Sequence, residues 1–296
     1  MMNMEGYLAN HDNRPIGNGR SGAEIWEIEE KYVLKHIRKE NLPDAGAFPL
    51  YCNEAYFYRF WGQQAGGAPS FLPKVLEVQV TDDEIFILMK RYQELSRAEA
   101  DDRLLRKIMG TLAMIHTQDI PTFLRQEQRP PEYLAREQIE SCLAGWRSVL
   151  AEHPGAFDER ILADTAADIN ELIGWHHEEP QVLTHGDFHW ENLLRRENGD
   201  IVVCDWQGVG AGGASGDISF FLGRLGADGT GIEPRKAAEI YCQERLALTG
   251  ERIESRDLVK HMEAANVIVS FRFWHEYLHG SSRERVGGIY EKMRTE

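Results

Sequence analysis

The sequence predicts an α+β protein of two lobes, a small β-rich one followed by a larger helical one. Two observations carry that expectation. Up to about residue 92, short runs of alternating polar and apolar residues are separated by turns, which is strand periodicity. Beyond about residue 96, apolar residues recur every three to four positions, which is helix periodicity. A chain of 296 residues suffices for one large domain or for two lobes sharing a cleft. The expected division is 1–92 and 93–296, with a hinge near 89–96.

The elements follow in order. Glu24-Ile25-Trp26-Glu27-Ile28 alternates, and after a Glu29-Glu30-Lys31 turn Tyr32-Val33-Leu34-Lys35-His36-Ile37 returns as the second strand of a hairpin. Asn53 to Gly62 reads as a helix with Tyr56, Phe57, Phe60 and Trp61 at helical spacing. A Gly66-Gly67-Ala68-Pro69 connection leads to two more strands, Lys74–Val78 and Glu84–Met89, around a Thr81-Asp82-Asp83 turn. Leu104, Leu105, Ile108, Leu112, Ile115 and His116 then share one face of a helix from about Arg97 to Thr117. Helices are expected from Pro130-Pro131 to about Leu150, from Ala156 to His176, and from Pro234 almost to the end. Ile201–Cys204 is a strand-like interruption.

Composition excludes several classes. Lys and Arg number 33 against 48 Asp and Glu, a formal charge of −15, which argues against nucleic acid because phosphate-backbone binding rests on basic side chains. The same charge tilts toward a cationic small-molecule partner. The longest apolar run, Ile85–Met89, is far too short to cross a bilayer, so no membrane association is expected. The N-terminal stretch has neither a basic start nor an apolar segment, so no secretory signal is read there and a cytoplasmic location is expected. Cys52, Cys142, Cys204 and Cys242 form no CxxC pair and read as reduced thiols. The tandem His176-His177 reads as a solvent-exposed pair, with no zinc site expected there or at His185 and His189.

The chemistry sits in three places. Gly17-Asn18-Gly19-Arg20-Ser21-Gly22 is a GxGxxG pattern. Alone it fits an ordinary glycine-rich turn. A dinucleotide-binding fold would continue into a helix, whereas here the pattern opens a hairpin, as in a glycine-rich loop folding over ATP phosphates. Lys35 in the second strand and Glu54 nineteen positions later on the aromatic helix could form an ion pair that holds the ammonium against the phosphates. The third segment is His185-Gly186-Asp187-Phe188-His189-Trp190-Glu191-Asn192. The strand Ile201–Cys204 then delivers Asp205 thirteen positions after Asn192. Phosphoryl transfer needs an acceptor-orienting carboxylate and hard oxygen ligands for Mg²⁺. Asp187 is assigned the acceptor hydroxyl, Asn192 and Asp205 the metal, and His185 the bracing of the loop.

On these residues the sequence resembles the aminoglycoside phosphotransferase and choline kinase-like family of small-molecule kinases, over nearly the whole chain. GRSGAEIWEI and YVLKHI are similar to that family's nucleotide loop and strand lysine, and HGDFHWEN and CDWQ to its catalytic and metal loops. The resemblance implies a protein-kinase-like two-lobed fold and an ATP- and Mg²⁺-dependent kinase, with GTP left open. It implies nucleotide contacts at Gly17, Gly19, Ser21, Gly22, Ala23, Lys35 and Glu54, and an adenine-seating hinge at Met89, Lys90 and Tyr92. The acceptor would be an aminoglycoside-, choline- or other amino- or sugar-alcohol-like hydroxyl.

Two departures matter. Where many members carry GDxxxDL, this chain keeps only the second acid, Asp217, expected to bracket the catalytic loop, and HGDFHWEN lacks the Cys-Leu-Pro insert of the aminoglycoside 3′-phosphotransferases. Asp217 follows Asp205 by twelve positions with no APE sequence after it, which leaves no room for a protein-kinase activation segment and argues against a protein substrate. The competing reading is a non-catalytic nucleotide-binding scaffold, against which the intact Lys35, Asp187, Asn192 and Asp205 set speaks.

Overall fold

In the computed structural model, residues 4–18, 22–42, 44–96, 100–124, 131–227 and 231–294 are described. The N-terminal part is a five-stranded antiparallel sheet of order β1-β2-β3-β5-β4, built from β1 (Asn13–Asn18), β2 (Glu24–Ile28), β3 (Tyr32–Arg38), β4 (Val75–Val80) and β5 (Glu84–Lys90). Both faces of the sheet are covered, which is why Ile85–Met89 is uniformly apolar rather than alternating. Ile85, Ile87 and Met89 join Ile37 and the buried side of helix α2 (Phe48–Gly62). Phe86 and Leu88 join Ile28 and Leu34 on the opposite face, beneath Tyr7 and Leu8 of the short helix α1 (Met4–Ala9). Strand parity therefore puts Lys35 on the same face as Ile37, pointing it at α2.

The sequence did not signal β1, whose composition, NRPIGN, is poor in strand formers; Pro15 sits where the β1–β2 register shifts. The glycine pattern thus joins two strands, with Gly17 inside β1. Gly19 and Ser21 lie outside the described residues. Helix α2 starts earlier than expected, with a proline in its first turn, and it buries Phe48, Cys52, Glu54, Ala55, Phe57 and Tyr58 while Tyr56 is exposed.

The helical part comprises α3 (Asp102–His116), α4 (Arg136–Ala151), α5 (Glu159–His177), α6 (Ala214–Ala227), α7 (Pro234–Thr249), α8 (Ser255–Phe273) and α9 (Arg283–Tyr290). Asp101 caps α3 by accepting from the Leu104 amide at 2.7 Å, and Pro131 to Ala135 precede α4 without helix. Two small sheets lie among these helices. β6 (Gln93–Glu94), from the hinge, pairs with β8 (Leu193–Arg195), which pairs with β9 (Ile201–Val203); β7 (Gln181–Thr184) pairs with β10 (Gly210–Gly213). One buried cluster runs without a break from Ile37, Phe57 and Ile87 through Trp206 to Leu112 and Tyr241, and a second, around Trp146, Phe271 and Tyr290, joins α4, α5, α8 and α9. All four cysteines are free thiols. Among the described residues no helix is long and apolar enough to cross a membrane.

Candidate active site

The β8–β9 hairpin accounts for the spacing between Asn192 and Asp205. Leu193 pairs with Val203, and the Cys204 amide donates to the Asn192 carbonyl at 3.0 Å, so the two predicted metal ligands leave the hairpin side by side. Asp205 takes a left-handed conformation, φ 64° and ψ 61°, an uncommon one for a non-glycine residue that turns the chain sharply into the Trp206–Gly208 turn. The hinge is fastened to the same hairpin: β6 pairs with β8, and the Trp190 indole donates to the Leu95 carbonyl at 3.0 Å.

Lys35 Nζ lies 2.7 Å from Glu54 Oε2 and 2.7 Å from Asp205 Oδ1, so the predicted strand–helix ion pair forms and extends to the predicted metal loop. Glu54 is fully buried and also accepts from the Trp206 amide at 3.2 Å and the Tyr58 hydroxyl at 3.3 Å. Burial disfavours the charge on Lys35, but Glu54 and Asp205 outweigh it and hold the ammonium above its usual range.

The predicted catalytic loop is held from behind. Both Asp217 oxygens accept backbone hydrogens, from His185 N at 2.8 Å and Gly186 N at 2.9 Å, and Oδ2 also meets His116 Nε2 at 3.2 Å. Burial by itself would raise the Asp217 carboxyl; His116, His185 and the loop amide more than offset it and leave it below its usual value. His116 Nδ1 is 2.8 Å from the Tyr241 hydroxyl, and Arg245 donates to the His116 carbonyl at 2.6 Å. His185 accepts the Asp187 amide at Nδ1, 3.2 Å, and faces the Cys204 carbonyl with Nε2, 3.0 Å, partners that specify a neutral Nε2–H ring. Burial lowers its proton affinity in the same sense. Gly186, at φ +78°, lies so close to Gly208 that a Cβ would collide with the Gly208 carbonyl oxygen, so catalytic and metal loops abut as bare backbone.

Asp187 is half-buried, with Oδ2 3.3 Å from His189 Nε2 and 3.4 Å from Asn192 Nδ2. The His189 bond holds its carboxyl below the usual range, and the Asp187 carboxylate raises His189 in turn. Asn192 Nδ2 also donates to the Asp187 carbonyl at 2.9 Å, which fixes the orientation of the amide. In the glycine-rich segment predicted to bind nucleotide, Gly22 has φ +80° and a Cβ there would come 2.8 Å from the Asn41 carbonyl oxygen, while Ala23 is fully buried. At the hinge, Met89 is buried and Lys90 exposed. Tyr92 accepts the Lys74 amide at 2.9 Å, with the Arg196 guanidinium over its ring at 5.1 Å.

Lys35, Glu54, Asp187, His185, Asn192 and Asp205 thus come together, with Asp217 behind them. Sequence reasoning missed His116, Tyr241, Arg245 and His189 as loop supports. His116 did carry a signal, since a histidine closing an otherwise apolar helix face needs a buried partner.

With this geometry in view, the chain matches the model of the phosphotransferase enzyme family over residues 12–252. It belongs to that family, and is a phosphotransferase built on the fold of the small-molecule kinases. No curated protein sequence matches it. Among solved structures it is similar to an ADP-bound aminoglycoside phosphotransferase, APH(2'')-Ib, at 16% identity and TM-score 0.55, covering 98% of this chain and 94% of that one. It is similar to an ethanolamine kinase from Plasmodium vivax at 12% identity and TM-score 0.59, covering 97% and 82%. A choline kinase from Cryptosporidium parvum Iowa II follows at 10% identity and TM-score 0.57, covering 96% and 89%.

Proposed function

We propose that the protein transfers the γ-phosphoryl group of ATP, with Mg²⁺, to a hydroxyl of a small amine-bearing alcohol. The observation that carries this reading is Lys35, whose ammonium lies 2.7 Å from Glu54 of the N-terminal lobe and 2.7 Å from Asp205 of the other. Glu54 and Asp205 set two carboxylates against Lys35, and the carboxylate and amide donors are hard oxygens, a set that suits Mg²⁺. Asn192 and Asp205 would hold the ion, which would supply charge neutralisation on the phosphates.

The chain's own groups do the rest. Gly17, Gly19, Ser21, Gly22 and Ala23 would bring backbone amides to the phosphates, with the hinge at Met89, Lys90 and Tyr92 seating the base. Lys35, fixed by Glu54, would hold the phosphate oxygens. Asp187, kept ionised by His189, would accept the hydrogen bond of the acceptor hydroxyl and then its proton. His185, through the Asp187 amide and the Cys204 carbonyl, keeps catalytic and metal loops in register. A lobe division at 1–92 and 93–296 would put these two groups of residues on either side of the nucleotide. An amine on the acceptor is supported by the net charge of −15 and by the acceptors named for the similar structures, an aminoglycoside, choline and ethanolamine. Four free thiols accord with a reducing, cytoplasmic setting.

A phosphorylation screen across aminoglycosides, choline-like amines and nitrogen-free polyols tests the acceptor class. Turnover is expected with an amine-bearing alcohol, and turnover confined to polyols removes the amine from the proposal. Asp187→Asn should reduce turnover by about 10²–10⁴-fold. It should leave intact the thermal stabilisation by Mg²⁺-ATP, about 2.7 kcal/mol at a hundredfold excess over Kd. Retained turnover would remove Asp187 as the base, and no stabilisation of either protein would remove the nucleotide site.

A further inference from the structure

Away from the catalytic loop, where α5 gives way to β7, two side chains at the end of α5 meet a third from α8. His176 stands in the last turn of α5, Glu179 just beyond it, and His261 in α8; their candidate donor atoms all lie within 4.8 Å of one another. Glu179 is 8% exposed. The Nδ1 atoms of both histidines are closed off from water and have no hydrogen-bond partner among the described residues. Glu179 Oε2, at 3.9 Å from His176 Nδ1, is beyond hydrogen-bond reach. The His261 ring is set by stacking on Trp175, with centroids 3.9 Å apart and planes 5° from parallel. The Glu179 carboxylate is oriented in turn, accepting the Ser215 amide at 2.9 Å and the Ser215 hydroxyl.

An orphaned buried nitrogen is costly, and both sit beside a buried carboxylate with no Lys or Arg salt bridge among the described residues. A divalent cation would satisfy all three groups together. Two imidazoles and a carboxylate are a zinc-type donor set, and the Ser215 and Trp175 contacts are the outer partners that fix ligand orientation at such centres. Ligands about 2.1 Å from a tetrahedral ion stand about 3.4 Å apart, a spacing inside the 4.8 Å span of the three donors.

We infer that His176, Glu179 and His261 form a three-ligand binding site for Zn²⁺ or a similar borderline divalent ion. The inference is independent of the phosphotransfer reading. The ion would tie α5, α8 and the start of β7 to Ser215, in the first turn of the helix that carries Asp217. Its effect should therefore be on stability.

The test uses full-length protein freed of metal with a chelator, in the Asp205→Asn background so that the catalytic ligands do not contribute. Equilibrium dialysis should give one Zn²⁺ per chain, with a raised melting temperature, and Co²⁺ should give the visible absorption of a low-coordinate nitrogen–oxygen site. His176→Gln and His261→Gln should each weaken Zn²⁺ binding by more than the roughly 10–100-fold that loss of an outer partner costs. Both should also abolish the melting shift while melting as the metal-free parent does. Zn²⁺ binding indifferent to both substitutions, or absent from the Asp205→Asn protein, would overturn the site.

Discussion

Lys35 shows how much of this site rests on the surroundings of single residues. A strand lysine ordinarily faces water; this one is 6% exposed because strand parity turns it toward α2, where Glu54 has no exposure. Breaking a buried ion pair by removing one partner typically costs about 3–5 kcal/mol, because the other charge is left uncompensated. Lys35→Met should therefore destabilise the protein by about that amount in urea unfolding. Adding Glu54→Gln should recover a substantial part, since a glutamine oxygen can still accept from Trp206 N and the Tyr58 hydroxyl without carrying charge. Activity should not return with stability, because the proposed phosphate-holding cation is gone in both proteins. A double variant no more stable than Lys35→Met would show that Glu54 does not depend on Lys35.

Among elements, legibility followed contact distance along the chain. HGDFHWEN and the strand ending at Asp205 were readable because a short hairpin joins them, and the Lys35–Glu54 pairing because it lies within one strand–helix unit. Strands such as β7, β8 and β10, three or four residues long, are too short to show a period, and β1 is masked by its proline and glycine. The approach of His261 to His176 bridges two helices and leaves no local trace; sequence alone reads His176 as solvent-exposed, whereas its Nδ1 is buried.

Asp217 lies between these cases: its role as a bracket was expected, its His116–Tyr241 support was not. Asp217→Asn would leave one of the two loop amides facing an NH₂ group, at about 1–3 kcal/mol per unsatisfied partner. The sign of its pH dependence follows from a folded carboxyl held below its usual value of 3.8. The stabilisation is fully present above that value and is lost as pH falls through the lower folded value. The stability gap between parent and Asp217→Asn should thus be level at neutral pH and narrow on acidification below the usual value. Urea unfolding across pH measures it, and a gap that widens in acid would remove Asp217 as an ionised bracket.

At the scale of the molecule, two lobes in architecture need not be two units in folding. The main buried cluster passes from the sheet into the helices without a break, and its crossing point is aromatic: Phe57 of α2 stacks on Trp206 at 4.6 Å, and Phe71 lies 5.8 Å from the same indole. Trp206 directly follows Asp205, so the contact that joins the lobes also seats the proposed metal loop. A shared core of this kind predicts one cooperative transition in which far-UV circular dichroism and tryptophan fluorescence coincide. Phe57→Ala should cost about 3–5 kcal/mol, the usual range for a fully buried phenylalanine. It should shift both probes together, because the lost packing belongs to both lobes. If fluorescence and dichroism separate in the parent protein, or if Phe57→Ala melts the sheet while the helices persist, the lobes fold independently. The lobe boundary near residue 92 would then divide the protein energetically as well as in form.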